Sequence, residues 1–313
     1  MNDSSKIMLS VVIVSYNVQH YVLEAISSVY KFCNINMQII VADNNSTDDT
    51  VQAIKQKFPE VTVISNEKNL GFSAANNQCF DICKGDYILM LNPDAELIND
   101  SLQNMITYLS KTTNSESILI APKLVNTDNS IQISCWKFPS PIQHLLELFF
   151  LNTVIDVTRY NFIELQNEKS INFLSGACIL MKKHTLQLLK GLDVNLFWMD
   201  DVDLGKRNIL NGGKNIYFPA SSVKHHIGQS SKKNQNIVIS NQIISKLKYY
   251  KKHKQYLYFF SSIPILFLQI LSRIPLFCII GIIKPLYFKK VKAYFYTLGK
   301  FFNYLILGHQ TIS

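Results

Sequence analysis

Three carboxylates fall within four positions at Asp200, Asp201 and Asp203, directly after the apolar run Phe197-Trp198-Met199. Like charges so close raise one another's proton affinity, which suits one of them to take a proton from a substrate hydroxyl. The same residues also suit the first turn of a solvated helix, where acids are favourable. Asp94 stands in Leu91-Asn92-Pro93-Asp94. Its carboxylate is a hard oxygen ligand for Mg²⁺ or Mn²⁺, and Asn-Pro-Asp equally marks a turn. Asp43 is followed by Asn44-Asn45-Ser46-Thr47-Asp48. It could accept hydrogen bonds from a nucleobase imide or a ribose hydroxyl; taken alone, it fits a turn or helix cap as well. His225 and His226 each offer an imidazole nitrogen to a metal, although a lone histidine is more often structural.

These residues need elements that bring them to one place. Leu9–Ser15 is a continuous β-branched run, as expected of a strand buried on both faces. Met37–Ala42, Val61–Ser65 and Tyr87–Leu91 read as further strands. Tyr21–Lys31, Asp48–Lys57 and Phe72–Cys83 read as helices between them, the second capped by Ser46 or Thr47. This alternation implies a mainly parallel sheet with right-handed crossovers. Ligands bind beyond the carboxyl ends of such strands, so Asp43, Asn92 and Asp94 belong on one edge. Farther on, residues 101–110 read as a helix, Ile118–Ala121 and Phe173–Met181 as strands, and Cys135–Tyr160 as an irregular, aromatic loop or lid on the acceptor side. A helix runs from the acidic cluster to Leu210, and Ile216–Pro219 is a short strand ahead of His225.

The 313 residues carry a net charge of +9 that hides a split. The first 203 residues hold all 22 acidic side chains against 14 Lys and Arg, a balance of −8; the remaining 110 hold 17 cations and no acid. Such asymmetry means that one end meets a polyanion, nucleic acid or an anionic membrane. The Leu, Ile and Phe density of the tail favours the membrane and argues against nucleic acid. Tyr256–Ile283 has a single charge, Arg273. With Pro264 and Pro275 it is expected to break the run, giving kinked amphipathic helices in the interface with lysines on anionic headgroups. The division expected is an α/β domain over residues 1–239 and a basic, apolar helical region over 240–313. Met1–Lys6 lacks a signal-peptide pattern, so a cytoplasmic protein, peripheral at the inner face of the cell membrane, is expected. The six cysteines are scattered; Cys79 and Cys83, four apart, are read as buried thiols rather than a zinc site.

Order and context make these strings specific. Val11-Val12-Ile13-Val14-Ser15-Tyr16-Asn17, Val41-Ala42-Asp43-Asn44-Asn45-Ser46-Thr47-Asp48, Asn69-Leu70-Gly71-Phe72-Ser73-Ala74-Ala75-Asn76-Asn77 and Leu91-Asn92-Pro93-Asp94 come first. Ser175-Gly176-Ala177-Cys178, Gly191-Leu192-Asp193, Asp200-Asp201-Val202-Asp203-Leu204, and His225 followed by Gly228 complete the set. Over about residues 9–230 the chain resembles the family 2 glycosyltransferases, and within them the rhamnosyltransferase-like enzymes of bacterial surface-polysaccharide synthesis. The resemblance implies a GT-A fold, an αβα sandwich, and an inverting single displacement from a nucleotide diphosphate sugar to a lipid-linked saccharide. By the same resemblance Tyr16, Asp43, Asn76 and Asn92 would line the nucleotide sugar, and Asp94 and His225 would hold Mg²⁺ or Mn²⁺. Asp201 would be the general base, with Asp200 and Asp203 beside it.

Two departures matter. Asn92 replaces the first Asp of the family's Asp-x-Asp pattern, which weakens the metal site. Asp200 stands where the family has Glu, a reach shorter by one methylene. The Gln-x-x-Arg-Trp string of processive synthases is absent, since neither Trp136 nor Trp198 follows an arginine; transfer of a single sugar is therefore expected. A catalytically inactive nucleotide-sugar or glycan-binding protein on the same fold is the alternative that Asn92 keeps open and the acidic cluster opposes. A nucleotidyltransferase would need a Gly- and Lys-bearing loop after the first strand, where Tyr16-Asn17-Val18-Gln19 stands. A dehydrogenase would need Gly-x-Gly-x-x-Gly, which follows no strand.

Overall fold

The structure is a computed structural model and describes residues 8–113, 115–160, 163–226 and 235–308. Met1–Lys6 and Gly228, both invoked above, lie outside the described residues. In chain order the elements are β1 (Leu9–Ser15), α1 (Gln19–Phe32), β2 (Met37–Asp43), α2 (Thr50–Lys57), β3 (Thr62–Ser65), α3 (Phe72–Asp81), β4 (Tyr87–Leu91) and β5 (Ala95–Leu97). There follow α4 (Ser101–Ser110), β6 (Ile118–Val125), β7 (Ile131–Gln132), β8 (Cys135–Trp136), α5 (Pro141–Leu148), β9 (Lys169–Ser170), β10 (Phe173–Leu174) and β11 (Cys178–Lys182). Last come α6 (Lys183–Leu189), α7 (Asp200–Leu210), β12 (Lys214–His225), α8 (Gln235–Lys252), α9 (Tyr256–Ile283) and α10 (Phe288–Leu307). They form two compact units. The first comprises Met1–Lys137, Arg159–Val194 and Asp200–Ser230; the second comprises Phe138–Thr158, Asn195–Met199 and Ser231–Ser313.

The first unit is built on one sheet of order β3-β2-β1-β4-β11-β6-β12-β5. Strands β1 to β4 pair in parallel, as do β6 and β12, while β11 runs antiparallel between β4 and β6. The sheet is thus mostly parallel, as expected. Both faces are covered, which is why β1 reads as an unbroken apolar run: every one of its residues is buried. Val11 and Ile13 face the layer containing Val22, Ile26 and Val29 of α1 and Leu102 and Met105 of α4. Val12 and Val14 face the layer containing Ala75 and Cys79 of α3.

The registers fix the functional edge. Ser15 pairs with Asp43, and Asp43 with Ser65, at the carboxyl ends of β1, β2 and β3. Two residues earlier Ile13 pairs with Leu91, and Leu91 with Cys178 where β11 begins. The segments after Ser15, Asp43 and Leu91, and the turn before Cys178, therefore share one edge.

Several local expectations shift. Phe173–Met181 divides into β10 and β11 around Ser175-Gly176-Ala177. The Cys135–Tyr160 stretch contains β8 and α5, the latter capped by Ser140 Oγ accepting from Gln143 N. Ser46 does not cap α2: its hydroxyl donates to Asp43 Oδ1 at 2.6 Å. Asp48 instead accepts from Thr50 N in that first turn, at 3.3 Å. Cys79 and Cys83 are buried, free thiols. Burial pushes them up to about 12 and about 11, so neither is a ready thiolate ligand.

In the second unit, Ile243 and Leu247 of α8, Leu266 and Ile270 of α9, and Phe301 and Tyr304 of α10 form the core. The tail helix corrects the expectation of a broken run: Tyr256–Ile283 is one helix of 28 residues with Pro264 and Pro275 inside it. A proline removes one backbone hydrogen bond, and packing of Leu266 and Ile270 between the two prolines holds the turns together. Arg273 does not interrupt the helix because its charge is used inside the unit. Its Nη2 donates to Glu147 O at 2.6 Å and its Nη1 to Leu148 O at 3.2 Å. The guanidinium lies 3.5 Å from the centroid of the Phe150 ring. A cation on the last carbonyls of α5 meets the negative end of the helix dipole. By length and hydropathy (28 residues, 2.2) α9 is also able to cross a membrane.

Candidate active site

Asp94 sits in the Asn92–Asp94 turn after β4, and His225 ends β12. Antiparallel pairing of β5 with β12 sets Ala95 opposite His225. Asp94 Oδ1 and His225 Nε2 are 3.3 Å apart. Gln132 decides the imidazole tautomer. Its Nε2 donates to Asn126 Oδ1 at 2.9 Å and to His225 O at 3.4 Å, so its Oε1 is the atom turned to His225 Nδ1, at 2.7 Å. Nδ1 therefore donates to Gln132, and Nε2 is the ring nitrogen turned to the Asp94 carboxylate. A carboxylate oxygen and an imidazole nitrogen at this spacing suit one cation held by bonds of about 2.1 Å at adjacent coordination positions. The Asn92 amide lies 3.4 Å from the same His225 nitrogen. The donor set fits a divalent metal that would take its remaining ligands from substrate and water. A second group, Glu24, Glu96 and His226, has its ligand atoms within 4.8 Å of one another; His226 is in contact with Glu96.

The acidic cluster divides. Asp200 and Asp201 open α7 and stay half-buried, while Asp203 turns inward and is fully buried. Ser73 Oγ donates to Asp200 Oδ2 at 3.0 Å. Asp201 Oδ2 accepts from Gly176 N at 3.4 Å, and its Oδ1 from Val202 N at 2.7 Å. Burial, then the neighbouring Asp200 charge, push the Asp201 carboxyl up to about 7. Burial pushes Asp200 up as well, with the Ser73 hydrogen bond acting against it. Asp201 is thus a carboxylate with raised proton affinity. One turn joins it to the Asp94–His225 pair: next to Gly176, Ala177 O accepts from Asn92 N at 2.8 Å.

Asp203 Oδ2 accepts from Arg207 Nε at 2.7 Å. Arg207 also donates to Leu189 O, and through Nη2 to Gly191 O at 2.9 Å. This strut meets the Gly191-Leu192-Asp193 turn, which Asn77 grips from α3 by donating to Leu192 O at 2.8 Å and accepting from Leu192 N at 2.9 Å. Gly191 is required there: its φ is +71°, and a Cβ would meet Asn77 Oδ1 at 2.5 Å.

At the carboxyl end of β2, Asp43 is buried and already engaged. It accepts from Ser15 Oγ at 2.9 Å and from Ser46 Oγ and N at 2.6 and 2.9 Å. A carboxylate has about four acceptor positions, so about one remains for a nucleoside. Tyr16 is half-buried beside it. Asn17 Oδ1 accepts from Thr47 N at 2.7 Å, tying the loops after β1 and β2 together. Asn76 is 1% exposed and donates to Phe72 O at 3.0 Å, leaving Oδ1 buried without a partner. That orphaned acceptor suits a ligand hydroxyl or amide.

The edge therefore gathers Tyr16, Asp43, Asn92, Asp94, Asp200, Asp201 and His225, and it assigns Asp203 to a structural pair. Sequence reasoning missed Gln132 and Arg207, and quoted Ser73 and Asn77 within the Asn69–Asn77 string without giving either a role. Arg207 carried a local signal, its i,i+4 spacing from Asp203.

Residues 10–161 match the family model described as glycosyl transferase family 2. An N-acetylglucosaminyl-diphospho-decaprenol L-rhamnosyltransferase of Mycobacterium tuberculosis is 27% identical over 240 residues, 72% of this chain and 78% of that one. The UDP-Glc:alpha-D-GlcNAc-diphosphoundecaprenol beta-1,3-glucosyltransferase WfaP of Escherichia coli is 30% identical over 103 residues, 33% of this chain and 41% of its own. Among solved structures, the mannosyltransferase PcManGT of Pyrobaculum calidifontis, in complex with GDP-Man and Mn²⁺, aligns over 98% of this chain and 90% of that one. Its TM-score is 0.57 at 15% identity, a likeness of fold.

Proposed function

This chain is a family 2 glycosyltransferase with the GT-A fold, and on that premise we propose that it moves one sugar, rhamnose first among candidates, from a nucleotide diphosphate carrier to a lipid-linked saccharide. The acceptor class proposed is a GlcNAc-diphospho-polyprenol, the substrate class in the names of the M. tuberculosis and E. coli relatives. The setting is the cytoplasmic face of the membrane, in surface-polysaccharide synthesis. The observation that carries the reading is Asp201, a half-buried carboxylate of raised proton affinity, joined through one turn to the Asp94–His225 pair.

In this mechanism Tyr16, Asp43 and Asn76 receive the nucleotide sugar. Asp94 and His225 would hold Mg²⁺ or Mn²⁺, which when bound neutralises charge on the leaving diphosphate. Asp201 takes the proton of the acceptor hydroxyl as its oxygen bonds to the anomeric carbon. The bond from that carbon to the diphosphate oxygen breaks on the opposite side, and configuration inverts. Asp200 keeps the proton affinity of Asp201 high. Ser73 and Gly176 hold the two carboxylates, and Asp203 with Arg207 steadies the helix that carries them.

A panel of nucleotide sugars, each with GlcNAc-diphospho-polyprenol and with Mn²⁺, Mg²⁺ or EDTA, tests the reading by release of nucleoside diphosphate. Metal-dependent release with one donor and product of inverted configuration are expected. Donor binding without release under every condition would favour the inactive-binder alternative.

A further inference from the structure

The stretch Pro141–Val157 lies in the middle of the chain yet belongs to the second unit. It is unusually apolar for an exposed segment. Ile142 is 63% exposed, Phe149 62% and Val154 84%, and Leu151 and Ile155 are exposed beside them. Its only charged residues are Glu147 and Asp156. Glu147 is taken up by Lys246 at 2.7 Å. The chain reverses at Phe150, whose φ is +59°, a conformation that a bulky residue adopts only when its surroundings impose it. Here the surroundings are Arg273, which covers the Phe150 ring and caps α5.

Single exposed apolar residues need no explanation, but a cluster marks an interaction surface. The rest of the unit says which kind. Leu257 and Phe260 of α9 and Ile306 of α10 are also exposed, and the charged residues within and between these two helices are all cations: Arg273, Lys284, Lys289, Lys290, Lys292 and Lys300. From residue 231 onward there are 13 cations and no acid. Exposed apolar side chains on a unit whose C-terminal helices carry cations and no acid complement acyl chains beneath anionic headgroups.

We propose that the turn Phe149–Ile155 is a membrane wedge, inserted into the outer part of an anionic phospholipid layer and braced to α9 by Arg273. The proposal deepens the membrane reading given above and is independent of the transfer chemistry. The enzyme would thus grip the bilayer through a segment inside the catalytic sequence as well as through its tail, fixing how the lipid-linked acceptor is met.

The test uses the full chain and phosphatidylcholine vesicles containing phosphatidylglycerol. Leu151→Trp is compared with the parent protein, with and without brominated acyl chains. The introduced indole is expected to shift to the blue and to be quenched by bromine. The triple variant Phe149→Ser, Leu151→Ser, Val154→Ser, whose changes lie on exposed positions, is expected to bind vesicles about tenfold more weakly or worse with an unchanged melting curve. Vesicle binding without quenching of the new indole would overturn the wedge while leaving the tail on the membrane. No vesicle binding by the parent would overturn the membrane reading itself, and nucleoside diphosphate release would still report the transfer separately. A dimer that the triple variant dissociates would assign the surface to a second copy of the chain and also overturn the wedge.

Discussion

Asp94 Oδ1 and His225 Nε2 face each other across 3.3 Å, and the Gln132 carboxamide accepts from Nδ1 on the other side of the ring, which turns Nε2 to the carboxylate. A carbonyl-type partner behind the imidazole is what metal-binding histidines use, in keeping with the proposal that Asp94 and His225 hold the cation. EDTA is therefore expected to abolish turnover. Gln132→Leu should weaken Mn²⁺ binding by roughly 10–100-fold, and His225→Ala should weaken it further. Titration of Mn²⁺ into the protein with nucleoside diphosphate checks this; unchanged affinity in both variants would remove His225 from the site.

A pH profile follows from the acidic pair. Asp201 must be ionised to take a proton, and its carboxyl is raised to about 7 by burial and by Asp200. The rate should therefore rise with pH up to about that value and level off above it. Asp200→Asn removes the neighbouring charge and should move the rising limb to lower pH. A limb that stays in place in this variant would show that the two carboxylates do not interact.

The same shift has a cost for stability. A carboxyl raised in the folded state stabilises the fold below its unfolded value and loses that contribution as pH rises through the folded one. Asp201→Asn should consequently melt higher than the parent above pH of about 7, by on the order of 2–4 °C per kcal/mol gained, and show little gain in acid. Calorimetry at two pH values decides it.

Asp203 and Arg207 form the opposite kind of pair. Removing Arg207 takes the cation from beside a fully buried carboxylate, so Arg207→Met should destabilise by up to about 3–5 kcal/mol in urea unfolding. Asp203→Asn should also unfold earlier, yet its folded fraction should keep the parent's pH limb. A displaced limb would return Asp203 to the chemistry.

How much of this was legible in the sequence depended on the range of the interactions. The parallel strands were readable because burial on both faces leaves unbroken apolar runs such as Val11–Val14. The edge bearing Asp43 and Asp94 followed from strand order alone. The roles inside the edge were less readable, because they are set by partners far along the chain. Asp43 accepts from Ser15, 28 residues earlier, and so has less free capacity than an isolated aspartate. His225 takes its tautomer from Gln132, and no local pattern marks that glutamine. Arg273 looked like a break in an apolar run, since its acceptors at Glu147 and Leu148 lie more than a hundred residues upstream.

The central claim is that Asp201 is the base. Asp201→Asn preserves shape while removing the proton acceptor, and positioned base catalysis is worth about 10²–10⁴ in rate. Single-turnover release of nucleoside diphosphate should fall by that factor while donor affinity, measured by calorimetry, stays within about twofold. Turnover equal to the parent's at unchanged donor affinity would contradict the account and pass the role to another group at the same edge.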